Sequence, residues 1–356
     1  MIYLVSFNLS IFLNWLQNIF KSNFSKKALK IISASILISL LGLRYYVGTD
    51  YRKYIYIYNS ISHLKFSDLF SYTETELAHT LICKITYILG FDYRIVFLIY
   101  SLLIVFFLYK IMDTLKVNKT FFMMTYLFMI FPYSFNIMRQ SLSMIIIVYS
   151  FTLLFENKKI KSYIYLFLAS IFHKPSLIVL PIYLCHLFIK NKKLRNLILI
   201  LFYLIVVYLL LNNYFTLLDI DSMSRYSNYA ISNTIDYRII ISGIIKRLPI
   251  IFLFFAYMND FKEKNINNYT YIALLIISMI FSFLGAVNPT LNRLSLYFSI
   301  FDAVIIGKIT LRKNIPVVKL LLYIYFILYF YYQFYYSKVG EIFPYKTWVG
   351  VVWKKI

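Results

Sequence analysis

Apolar stretches close to the length of a membrane-crossing helix alternate with short polar turns along nearly the whole chain. A helix needs about 20 residues to cross a hydrocarbon core of about 30 Å. Residues 2–20 form the first and most polar stretch, with Asn8, Asn14 and Gln17 inside it. Residues 31–47, 95–111, 120–132, 140–155, 194–213, 239–258, 269–284, 294–306 and 317–336 follow. Residues 162–189 start and end at basic turns, 158–161 and 190–195, so this block predicts a hairpin of two arms. Pro175 marks its bend, because proline lacks a backbone N–H and disfavours helix at the residue before it. The pattern therefore predicts an all-α integral membrane protein, one polytopic domain over residues 1–356 with about 12 transmembrane helices.

Residues 77–89 are apolar but short for an untilted span. A crossing there would also turn the basic segment 110–119 outward. The mixed, aromatic and carboxylate-bearing stretch 52–93 is accordingly read as interfacial or re-entrant on the outer face, packed against protein. Extracytoplasmic loops are expected at about 44–93 and 214–240.

Composition agrees with this pattern. The chain of 356 residues is 61% hydrophobic, more than a water-soluble fold buries, and carries only 8 Gly and 7 Pro. Its net charge of +23 falls mostly in short loops between apolar stretches. That placement is the positive-inside pattern and does not call for nucleic acid as a partner. Anionic headgroups of membrane lipid account for those lysines. Cys83 and Cys185 form no motif, and residues 1–20 lack the basic start and small-residue site of a cleavable signal.

The polar residues that loop charge does not explain gather on the outer face in this topology. They are Arg44, Asp50, Arg139, Gln140, His173, Arg225, Arg238, Arg247 and Arg293, with Glu74 and Glu76 nearby. Arg44 and Arg238 also fit flank residues that snorkel to the interface, and His173 also fits a structural cap at a helix bend. Lys246-Arg247 is placed inside an apolar stretch, where an unpaired charge costs at least a few kcal/mol. No HExxH, paired cysteines, phosphate loop or GxSxG elbow is present, and no cofactor or metal is expected.

Several arginines on one face suit a pyrophosphate, since the guanidinium fork matches phosphate oxygens. Aromatic and carboxylate loops beside them suit sugars. Glycosyl transfer from a lipid-pyrophosphate-linked glycan needs a base for the acceptor hydroxyl and positive charge for the leaving pyrophosphate. His173, Asp50 and Glu74 or Glu76 are the candidate bases; Arg139, Arg247 and Arg293 are the candidate clamps.

Four segments carry a resemblance: RYYVGTDYRKY (44–54), NIMRQSLSMII (136–146), FHKPSLIVLPIY (172–183) and NRLSLYF (292–298). In order and spacing they resemble the EpsG-like family of bacterial polysaccharide polymerases, the Wzy type, along nearly the whole chain. The resemblance implies polymerisation of undecaprenyl-pyrophosphate-linked repeat units at the outer leaflet of the bacterial cytoplasmic membrane, for capsule, exopolysaccharide or O-antigen. A chain-length regulator and a flippase are the protein partners it implies. By motif position it carries over Arg44, Asp50, Arg139, Gln140, His173 and Arg293 as site residues, without settling which group is the base; the leading mechanism takes His173, Asp50 and Arg139 as the catalytic set. Arg225, Arg247, Glu74 and Glu76 join the substrate-binding set from the outer-face cluster. The run His173-Lys-Pro-Ser176 departs from a pattern with a small residue after the histidine. Two other classes fit the same composition: a flippase of lipid-linked sugars, which should carry polar groups deep along several helices, and a membrane O-acyltransferase acting on surface glycans.

Overall fold

The computed structural model describes residues 1–211, 243, 247–257, 268–283, 289–312 and 315–349. These residues are overwhelmingly helical, and among them the one pairing of extended backbone is an isolated antiparallel bridge between Arg44 and Thr347. They fall into two compact units, one of residues 1–176 and 310–356 and the other of residues 177–309.

The first unit opens with α1 (Ile2–Leu16) and α2 (Asn23–Gly42). The sequence predicts a helix from residue 31, but α2 starts eight residues earlier. Ser22 caps it by accepting from the Ser25 N–H, and the lysines at 26, 27 and 30 are helix formers that need not break it. Paired serines join α1 to α2: Ser33 Oγ donates to the Ser10 carbonyl at 3.0 Å, and Tyr109 donates to Ser33 Oγ at 2.6 Å. Small residues let helix backbones approach closely in an apolar environment. Gly42 does so against α5 (Tyr93–Thr114), where a Cβ would sit 2.6 Å from Leu98.

Between α2 and α5 lie α3 (Tyr51–Ser62) and α4 (Leu77–Ile88), the short apolar helix expected from residues 77–89. Lys84 is buried in α4, and its ammonium donates to the carbonyls of Ser62 at 3.0 Å and Leu64 at 2.5 Å. It thereby supplies the donors that the end of α3 lacks.

Residues 120–132 do not form one uninterrupted helix. The path runs from α6 (Lys119–Thr125) through a π turn (Tyr126–Ile130) to a 3₁₀ turn (Phe131–Phe135) carrying Pro132. Proline and the aromatic packing of Phe131 on Phe7 and Phe135 break the regular ladder. Then α7 (Met138–Phe155) runs buried along almost its whole length. It pairs with α8 (Lys159–Phe172) through Ser143, whose hydroxyl donates to the Ala169 carbonyl at 2.9 Å, and through reciprocal Ser150–Ser162 bonds.

The second unit holds α9 (Leu180–Phe188), α10 (Lys192–Leu211), α11 (Leu248–Tyr257), α12 (Asn268–Phe283), α13 (Pro289–Ser299) and α14 (Phe301–Ile309). The span predicted at 294–306 is interrupted between α13 and α14. Arg195, assigned to a basic turn, lies buried inside α10, where it donates to Thr270 at 3.2 Å. Phe281 and Phe298 stack at 5.4 Å and Tyr203 packs edge-on to both.

The chain returns to the first unit with α15 (Pro316–Phe330), continued by a π turn over Tyr331–Tyr336. Three segments among the described residues are long and apolar enough to cross a membrane: Tyr93–Thr114, Met138–Phe155 and Pro316–Tyr336. Several further apolar helices, Leu77–Ile88 and Leu248–Tyr257 among them, are only 10–17 residues long, and the expected dozen crossings is not reached among the described residues. Breaks such as that at Pro132 shorten what the sequence shows as continuous apolar runs.

Candidate functional site

Three polar residues of the site sit where a helix starts or stops, where the free N–H and C=O groups of helix ends seek partners. Arg139 is in the first turn of α7. Glu76 holds the N-cap position of α4, where a carboxylate also meets the positive end of the helix dipole. His173 ends α8 in an extended conformation, and the Ser176 N–H closes the turn on its carbonyl at 3.0 Å. These three ends meet within the first unit.

Arg139 Nη1 donates to the Glu76 carboxylate and to Thr75 Oγ1, and the guanidinium bonds the Tyr54 hydroxyl as well. The two ion-pair side chains are only 16% and 13% exposed, so solvent screens the pair weakly. The Glu76 carboxylate also accepts from the backbone N–H of Lys174, next to His173. Burial pushes the carboxyl upward, but Arg139 and then His173 outweigh it, so the group lies below the ordinary carboxylate range.

The sign of the pH effect follows. The unfolded carboxyl, near 4.3, binds a proton more tightly than the folded one. The stabilisation is therefore complete above about pH 4.3 and is lost as pH falls through the lower folded value. Acid titration of the detergent-solubilised protein, followed by intrinsic fluorescence, should show a destabilising step below about pH 4 that Glu76→Gln removes. An unchanged step in that variant would assign it to other carboxylates.

The other expected residues divide. Gln140 is buried behind Arg139 on α7. Asp50 occupies the N-cap position of α3 without a capping bond from its side chain, and its charge reaches Tyr54, the Arg139 partner. Glu74 stands exposed and accepts from Tyr72 at 2.9 Å, so the two glutamates differ sharply in setting.

Arg44 does not snorkel. It is fully buried, with Cζ 4.4 Å from the Phe97 ring centroid and 5.7 Å from that of Phe135, and Nη1 donates to the Leu41 carbonyl at 2.8 Å. Arg44 thus ties together the end of α2 and the aromatic rings around it.

In the second unit, Arg247 directly precedes α11 and is buried, near enough to the buried Asp302 for their charges to interact. Arg293 is exposed on α13. Arg225, Arg238 and Lys246 lie outside the described residues.

Three side chains of this cluster escape the sequence reading. Tyr54 touches Arg139; His79 and Tyr100, both fully buried or nearly so, bond each other at 3.0 Å, and His79 also meets Cys83 at 3.6 Å. Tyr54 and His79 pack edge-on at 5.7 Å, so the wall behind Arg139 is aromatic. The i, i+4 spacing of His79 and Cys83 is the one signal that places them together.

Chemically, the cluster offers a fixed cation–carboxylate pair, an imidazole beside it and an aromatic wall. A family model described as the EpsG family matches residues 27–347. No curated protein and no solved structure matches the chain.

Proposed function

The chain belongs to the EpsG family, whose membership fits a role in polysaccharide biosynthesis at a membrane, and from that premise we propose that it is a polysaccharide polymerase. It extends capsule, exopolysaccharide or O-antigen by moving a glycan from a lipid-pyrophosphate carrier onto the next lipid-linked repeat unit. The carrier is undecaprenyl pyrophosphate, and the work is done at the outer leaflet of the bacterial cytoplasmic membrane by a polytopic chain of about 12 spans. A flippase and a chain-length regulator act with it. The observation that carries this reading is the convergence of Arg139, Glu76 and His173 from three helix ends.

In the transfer, the acceptor hydroxyl oxygen forms a bond to the anomeric carbon of the donor glycan as the bond to the pyrophosphate oxygen breaks. The hydroxyl proton goes to His173 or Asp50, and the bonding electrons leave with the lipid pyrophosphate. Glu76 is bonded by Arg139 and the Lys174 N–H and is held below the ordinary carboxylate range, which weakens it as a proton acceptor, so it serves better as a positioning carboxylate than as the base. Positive charge beside the leaving group stabilises the transition state. Gln140, buried next to Arg139 on the same helix, completes the polar set of this unit.

His173→Ala in a gene-deletion background should leave single lipid-linked repeat units on the outer leaflet, with polymer reduced about 10²–10⁴-fold, the range for loss of a general base. Asp50→Ala is expected to shorten chains less. Gel analysis of surface polysaccharide reads both. If neither variant alters chain length or yield, neither residue is the base. Units that accumulate facing the cytoplasm would mark a flippase, and full-length polymer lacking an acyl group would mark an acyltransferase.

A further inference from the structure

Arg139 is the obvious cation of the cluster, yet its charge is already answered by Glu76, and its Nη1 is shared between Glu76 and Thr75. The pair is close to electrically neutral from outside. A pyrophosphate binding there has to meet a cation whose charge is not spent on a protein carboxylate.

Lys174 has that property. Its backbone N–H is fixed on the Glu76 carboxylate, which sets the residue at the site. Its side chain is exposed, and no ion pair among the described residues engages it. The turn that carries it is stiff: Pro175 follows, and the Ser176 N–H bonds the His173 carbonyl at 3.0 Å. The side chain thus starts one residue from His173 on a braced backbone.

We propose that Lys174 is the anion-binding side chain of the site and takes the diphosphate of the lipid-linked donor, while Arg139 and Glu76 hold the scaffold in place. This rests on the polymerase reading. An ammonium is a point charge on a flexible stem, so it can follow the diphosphate as the bond to the sugar breaks. Any non-proline substitution at residue 174 keeps the backbone N–H, so side-chain variants leave the anchor on Glu76 intact.

The test is binding of geranylgeranyl pyrophosphate to the full chain in nanodiscs of phosphatidylcholine alone and of phosphatidylcholine with phosphatidylglycerol. Lys174→Gln should weaken binding about tenfold in both lipids, as expected for one hydrogen bond between charged groups. Lys174→Arg should stay within about twofold of the wild type. Lys53→Gln, which removes an exposed cation of α3, controls for the general field. An equal loss in that variant would replace the assignment by diffuse electrostatics. A loss seen only with phosphatidylglycerol present would assign Lys174 to bulk lipid headgroups instead. Wild type that binds the probe while Lys174→Gln binds it equally well overturns the lysine assignment alone. Wild type that does not bind it overturns the pyrophosphate donor.

Discussion

Arg139→Ala is expected to abolish chain extension and to destabilise the protein in the same step. It leaves the Glu76 carboxylate, 13% exposed, without its counter-charge, and stranding one partner of a largely buried pair costs about 3 kcal/mol. It also frees the first turn of α7 from α4, since Thr75 and Glu76 lose a shared donor. Removing Glu76 too relieves the stranded charge, so Arg139→Ala/Glu76→Ala should unfold at a higher temperature than Arg139→Ala alone. Arg139→Lys keeps the charge but has no planar fork to serve Thr75, Glu76 and Tyr54 together, and should recover stability only in part. Thermal unfolding of the four proteins in detergent, alongside polysaccharide gels, separates these effects. Single and double variants melting with the wild type would show that the pair contributes nothing to the fold.

Gly48→Ala is expected to be the other large effect, through close approach rather than charge. Gly48 has φ +97°, a region that L side chains rarely adopt, and an added Cβ would lie 2.3 Å from the Phe135 carbonyl oxygen and 2.8 Å from Asn136 Oδ1. Asn136 cannot yield freely. Its Oδ1 accepts from Thr49 at 3.0 Å and its Nδ2 donates to the Gly340 carbonyl at 2.9 Å. The strain would pass into the segment that launches α7, three residues before Arg139. Gly90 provides the contrast: φ is +78°, but nothing lies within 4 Å of its Cβ position. Gly90→Ala should cost about 1 kcal/mol, the conformational part alone. Gly48→Ala should cost more than twice that and reduce polymer length as well. Equal melting shifts for the two variants would mean that the approach to Phe135 imposes no constraint.

The helical class was legible because apolar run length reports directly on membrane helices, and basic turns report on their connections. The break at His173-Lys-Pro was legible for the same kind of reason, since proline acts locally. Interruptions such as the π turn over Tyr126–Ile130 were not, because side-chain packing in three dimensions decides them and hydropathy does not. Arg139 and His173 could be named from their positions at helix mouths. Glu76 could not be told from Glu74, although the residue adjoining an apolar helix start is the better placed for the dipole. Arg44 left two readings open, a site cation or a snorkelling flank residue, and the second fails because the aromatic cage that swallows it comes from Phe97 and Phe135, distant in sequence. Tyr54, His79 and Tyr100 stayed hidden because burial of a polar side chain among aromatic rings leaves no mark on composition.

The first unit is assembled from residues 1–176 together with 310–356. Thr347 bridges Arg44, the Tyr45 N–H donates to the Lys346 carbonyl at 2.8 Å, and the Trp348 N–H donates to the Leu43 carbonyl at 3.1 Å. A ribosome adding about 5–20 residues per second makes Arg44 at least ~15 s before Thr347, with roughly 300 residues between them. Throughout that interval the loop holding Arg44 and Asp50 waits in the membrane without its closing partner. The closure of this loop is therefore made only once nearly all of the chain has been synthesised, and a nascent chain lacks it until then.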